Sequence, residues 1–151
     1  MSQHSNQGKL GLMIGFLVVG LVASACSSAQ AKTAELGAGC DQFSSQKSVT
    51  QQADVAVGDT VKVTLCSNPT TGFSWQEPEF SDAAVVSLVD KSFGGAISEG
   101  TSAPLVGAAG TDSITLRATA KGTSQMVLEY SQPWAGGTKA VWTYTLTLTV
   151  R

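Results

Sequence analysis

Residues 142–150 read WTYTLTLTV. Trp142, Tyr144, Leu146, Leu148 and Val150 fall on one side of an extended chain, and Thr143, Thr145, Thr147 and Thr149 fall on the other. Successive side chains of a strand point to opposite faces, so this period of two specifies a β-strand with one buried and one wet face. The same alternation recurs toward the N-terminus. Met126, Leu128 and Tyr130 oppose Gln125, Val127 and Glu129; Ile114, Leu116 and Ala118 oppose Thr115 and Arg117; Val61, Val63 and Leu65 oppose Lys62 and Thr64. Each run ends at Gly, Pro, Asn or Asp, as half-buried strands do.

Strands are predicted near 48–56, 59–67, 73–79, 84–93, 111–119, 123–131 and 138–150. No helical period occurs after the N-terminal apolar segment. The predicted fold is all-β, a sandwich of about seven to eight antiparallel strands, because two such sheets bury their apolar faces against each other. A chain of 151 residues is enough for one such domain. Charged residues make up 13% and the formal net charge is −2, with no run of Lys or Arg. A nucleic-acid role needs a basic patch, and that class is set aside.

The first 25 residues have the features of an export signal. Lys9 precedes an uncharged run of sixteen residues, LGLMIGFLVVGLVASA, too short for a transmembrane helix and ending in small residues. Val22-Ala23-Ser24-Ala25-Cys26 resembles a bacterial lipobox, with Ala23 where Leu is commoner. Lipid on Cys26 would hold the protein at a membrane of the cell envelope; cleavage after Ala31 would release a secreted form. Both of these leave Cys40 and Cys66 as an even pair in an oxidising compartment, which favours a Cys40–Cys66 bond over two free thiols, whereas a cut at the ordinary Ala23-Ser24-Ala25 site before an unmodified Cys26 leaves an odd thiol. The expected organisation is a signal peptide at 1–25, a flexible tether at 26–39 and a sandwich at 40–151.

Three stretches interrupt the alternation: 68–73, 93–110 and 132–137. Asn68-Pro69-Thr70-Thr71-Gly72-Phe73 has Pro69 to fix φ and Gly72 free to take a positive φ, then runs into two large aromatics, Phe73 and Trp75. The second stretch is long, and such loops are usually functional. The third places Trp134 in a turn, either folded back over a sheet edge or held out for a partner.

Chemistry that would make an enzyme is missing. The sole histidine, His4, lies in the export signal, so neither a nucleophile–imidazole pair nor a His metal ligand is expected. The carboxylates do not follow calcium-loop spacing, and the glycines at 94, 95, 100, 107 and 110 lack the Lys-Ser/Thr of a phosphate loop. No catalytic residue, metal or cofactor is expected. A binding protein remains.

Asn68 to Phe73, the segment Gly107-Ala108-Ala109-Gly110 and Gln132-Pro133-Trp134 resemble, in order and spacing, the three loop motifs of the chagasin-type cysteine-peptidase inhibitors. The resemblance spans about residues 48 to 151; the six-residue first motif is specific, whereas a G-x-x-G alone carries little weight. It implies an immunoglobulin-like sandwich with the three loops at one end, entering the active-site cleft of a papain-like cysteine peptidase. It further implies that the first loop lies over the catalytic cysteine, the second on the non-primed side and the tryptophan loop on the primed side. Inhibition would be reversible and competitive, by a monomer. Gln132 departs from the family's usual Arg. The alternative is an envelope adhesion or assembly module on the same sandwich, since fold alone does not set function.

Overall fold

The computed structural model describes residues 30–95 and 109–151. The export signal, Cys26, Gly107 and Ala108 lie outside the described residues. Nine strands and one short helix follow in chain order among the described residues. They are β1 (Thr33–Ala38), α1 (Cys40–Ser45), β2 (Ser48–Val55), β3 (Thr60–Ser67), β4 (Ser74–Trp75), β5 (Glu79–Phe80), β6 (Val86–Gly94), β7 (Gly110–Ala118), β8 (Gly122–Ser131) and β9 (Trp142–Val150).

The strands form two sheets. One has the order β1-β3-β7-β6; the other has β2-β9-β8-β4, with β5 also on β8. The alternation seen in the sequence is the alternation of burial. Val61, Val63, Leu65, Ile114, Leu116, Ala118, Met126, Leu128, Tyr130, Tyr144, Leu146, Leu148 and Val150 are all buried in one core. Each large aliphatic contributes roughly 1.5–3 kcal/mol by leaving water, and the threonines between them stay at the surface side.

Polar ties also cross between the sheets. Lys91 Nζ on β6 donates to the main-chain oxygens of Trp75 (2.7 Å) and Gln76 (3.0 Å), and pairs with Glu77 at 3.1 Å. Toward the other edges, the Tyr144 hydroxyl donates to Gln51 Oε1 at 2.6 Å, and Gln51 Nε2 donates to the Gly37 oxygen at 2.9 Å. Burial pushes the Tyr144 hydroxyl well above the ordinary phenol range, which keeps it a donor. At the end remote from the three interrupted stretches, Asp59 accepts from the main-chain N–H groups of Lys32 (2.8 Å) and Ala56 (2.9 Å). Those two donors hold its carboxyl below the usual range.

The structure differs from the sequence expectation in four places. Thr33–Ala38, expected as tether, is a strand paired in parallel with β3 from Thr33↔Thr60 to Ala38↔Leu65, so the sandwich begins before residue 40. Its TAELGA sequence offers too little apolar surface to announce a strand; pairing with β3 supplies the order. β2 also runs parallel to its neighbour β9, so the strands are not uniformly antiparallel. Cys40 stands on the short helix α1, in a domain expected to be all-β. Finally, the strand expected over 73–79 is two short pieces, β4 and β5, separated around Pro78, which has no N–H to give to β8.

Candidate functional site

Strand register gathers the interrupted stretches at one end. Ser67, the last residue of β3, pairs with Gly110, the first of β7, so the first stretch leaves the sheet where the second returns. Ser74 then pairs with Ser131, so the first stretch re-joins a sheet where the third departs. Residues 68–73 therefore cross from one sheet to the other over the open end of the sandwich. Beside them on one sheet β6 ends at Gly94 and β7 begins at Gly110, and on the other sheet the 132–137 turn joins β8 to β9.

The first loop is closed by its own side chains. Asn68 Oδ1 accepts from the Thr70 N–H (3.3 Å) and hydroxyl (2.6 Å), and the Thr71 hydroxyl donates to the Asn68 oxygen at 2.6 Å. Pro69–Thr71 form a short 3-10 turn, ended by Gly72 in the left-handed region at φ 78. Only glycine takes that conformation without cost to a Cβ. Pro69, Thr70 and Thr71 are exposed at the tip.

Beneath the tip lies an aromatic footing. Trp75 is 2% exposed and its indole N–H donates to the Cys66 oxygen at 2.9 Å. Tyr130 stacks on Phe73 (5.7 Å between centroids) and on Trp142 (4.8 Å), and its hydroxyl accepts from the Asn68 N–H at 2.7 Å. Phe43 of α1 packs against Trp75 and Trp142 at 5.3 and 5.1 Å. The Cys40–Cys66 disulfide, with Cα atoms 5.0 Å apart, fastens α1 to the strand end two residues before Asn68. The two large aromatics that follow the turn chemistry thus hold the turn on the core: Trp75 is buried within it and Phe73 packs against it.

The third loop rests on the first. Trp134 is 50% exposed, yet one edge of its indole lies over Gly72: a Cβ placed there would come within 2.8 Å of Trp134 Cη2. Gly72 is thus required twice, by its φ and by the ring above it. Gln132 turns inward, its Oε1 accepting from the Thr138 N–H at 2.9 Å while its own N–H donates to the Thr138 oxygen at 2.8 Å.

Of the second motif, Ala109 is exposed and Gly110 is buried as the first residue of β7, in the footing rather than on the presented surface. Two residues on, Asp112 is buried on the core side. Burial raises its carboxyl above the ordinary range, opposed in part by the Ser67 hydroxyl and the Lys91 charge. Three supporting groups were not evident from sequence: the Tyr130 hydroxyl, Phe43 and Lys139. Phe43 had a signal, a lone large apolar residue between Cys40 and β2, but one helical turn shows no period.

A β-sandwich that carries a stiff turn and a half-exposed tryptophan side by side on one end has the form of a protein that binds through loops. Residues 54–148 match the Chagasin family peptidase inhibitor I42, and the chain belongs to that family. It is a peptidase inhibitor, not an enzyme. Chagasin of Trypanosoma cruzi is 35% identical over 86 residues, which cover 54% of this chain and 73% of chagasin. The crystal structure of the cysteine protease inhibitor EhICP2 from Entamoeba histolytica is similar with a TM-score of 0.61 at 21% identity, covering 82% of this chain and 99% of that one. PbICP-C, solved in complex with falcipain-2, is similar with a TM-score of 0.53 at 16% identity, covering 80% and 99%. At such identities the two structures establish the shared sandwich fold.

Proposed function

We propose that the protein is a reversible, competitive inhibitor of papain-like cysteine peptidases, and that the tips of its three end loops enter the active-site cleft together. The observation that carries this reading is the indole of Trp134 lying on Gly72, which joins the first and third loops into one ridge. A ridge already assembled loses little conformational entropy on docking. The 3-10 backbone of Pro69–Thr71 is coiled rather than extended, so it offers a peptidase no strand-like substrate bond. Thr70 and Thr71 bring short polar groups toward the catalytic cysteine, and Trp134 supplies a large anchor with few rotors. No obvious electrophile or trapping nucleophile occurs in residues 40–151, so complementarity provides the affinity.

The test is steady-state inhibition of papain by the 30–151 protein. Competitive kinetics, full recovery of activity on dilution and an uncleaved inhibitor after long incubation are expected. Non-competitive kinetics, or cleavage between Asn68 and Phe73, would overturn the mechanism. We propose in addition that lipid on Cys26 holds the domain at a membrane of the cell envelope. Cys26→Ser should move the protein from the membrane fraction to the soluble one, and an unchanged distribution would remove the anchor.

A further inference from the structure

We propose that Lys139 is a positioning residue of the third loop, clamping Trp134 onto the first loop, and the cation through which that loop meets an acidic rim of the bound peptidase. The inference rests on the inhibitor reading above for its second half. Its first half stands on geometry alone.

The neck of the third loop is closed by the two bonds between Gln132 and Thr138, but farther out the Gly137 N–H reaches the Trp134 oxygen only at 3.2 Å. Lys139 Nζ adds what that segment lacks. It donates to the Gln132 oxygen and to the Trp134 oxygen, the latter at 3.1 Å, tying the incoming arm of the turn to the outgoing arm that carries the lysine. The turn is shaped to allow this. Gly137 is packed so tightly that a Cβ would lie 3.0 Å from Trp134 Nε1 and 2.7 Å from the Gln132 Cβ. Directly after Lys139 the chain is kinked: Ala140 has φ 48, and its N–H donates to Ser131 Oγ at 2.8 Å. A left-handed alanine is strained, and strain of this sort persists where the surroundings hold a functional segment in place.

The charge has a second consequence. Lys91 also caps two main-chain oxygens, but Glu77 neutralises it at 3.1 Å, and Arg151 is paired with Asp54 at 2.9 Å. Among the described residues Lys139 meets no carboxylate; its partners are neutral carbonyls, so a full positive charge stays exposed beside Trp134. An unneutralised charge at the edge of a docking surface speeds encounter with an oppositely charged partner and is screened by salt. The partner chemistry it fits is a carboxylate-bearing cleft rim.

The experiment compares Lys139→Met and Lys139→Arg with wild type against papain and against a papain-like peptidase of net negative charge. Lys139→Met should raise the inhibition constant roughly fivefold, within the range for charge-assisted bonds at a surface. It should also speed amide exchange at Gly137 and slow association with the acidic enzyme, with the salt dependence of that rate flattened. Lys139→Arg should restore all three, since guanidinium keeps both the charge and the donors. A methionine variant with wild-type inhibition and wild-type Gly137 exchange overturns the proposal, and so does an arginine variant no better than methionine. If wild type inhibits neither enzyme, the inhibitor reading falls and the rim role with it, while faster Gly137 exchange in the methionine variant still upholds the clamp.

Discussion

The loops at 68–73 and 132–137 stand side by side but are held in opposite ways. The first is held from below: a disulfide precedes it, Trp75 is buried immediately after it, and Tyr130 binds its first N–H through a phenol in the core. The third is held from the side, by Gln132, by Lys139 and by the edge of the first loop at Gly72. Core burial is worth kilocalories and resists water, whereas exposed polar ties are worth tenths. The difference predicts a division of labour. Damage under the first loop should lower stability and binding together, and damage in the third should lower binding alone.

The largest expected effect tests the footing. Replacing both Cys40 and Cys66 by Ser frees a 26-residue separation, and the chain-entropy model puts the loss at about 3.5 kcal/mol. Urea unfolding should show it, with weaker inhibition of papain alongside. A variant as stable as wild type would break the claim that the first loop is rooted through the bond. Next comes Trp134→Ala, which should raise the inhibition constant at least about tenfold, the scale for truncating an aromatic anchor. Because the ring is 50% exposed, unfolding free energy should fall by less than about 1 kcal/mol. If the domain melts instead, the two loops are not held differently and the tryptophan is structural.

A smaller effect sharpens the comparison at the root of the second loop. Burial holds the Asp112 carboxyl above its ordinary range, so the folded protein binds that proton more readily than the unfolded chain. The group therefore costs stability once pH rises through its raised value. Asp112→Asn should raise Tm at pH 7 by a gain on the order of 1 kcal/mol. That gain should shrink as pH is lowered and vanish below the unfolded value of 3.8. Inhibition should be unchanged, since Asp112 faces the core. The smallest effect is at Ala140, whose φ of 48 is a conformation glycine takes freely. Ala140→Gly should add roughly 0.5 kcal/mol, the strain relieved less the extra freedom of the unfolded chain. Thermal melts resolve it, and a loss of stability would show that the kink is not strained.

What could be read early was whatever alternation encodes. The buried positions of β3, β7, β8 and β9 follow from period-two patterning, because a half-buried strand must place apolar groups on one face. The first motif was equally legible, since Pro69 and Gly72 have restricted uses in any fold. β1 and α1 were not. Thr33–Ala38 is ordered by β3 and by Asp59 reaching the Lys32 N–H, contacts far away along the chain. Phe43 is a core residue because the disulfide fastens its helix to β3 and two tryptophans pack on its ring.

The candidate site divides in the same way. Asn68 to Phe73 and Trp134 were evident as a stiff turn and an aromatic in a loop, properties local to each. Gln132 stood out as a missing positive charge; its inward turn and the cation of Lys139 beside it became visible only in three dimensions. By itself the sequence determined the sandwich, the buried faces and the chemistry of each turn, because those depend on neighbours along the chain. Tertiary structure decided which turns share an end, that Trp134 lies on Gly72, and that the Lys139 charge stands beside Trp134 with no carboxylate among the described residues against it. Those are relations between residues that strand register, and not sequence distance, brings together.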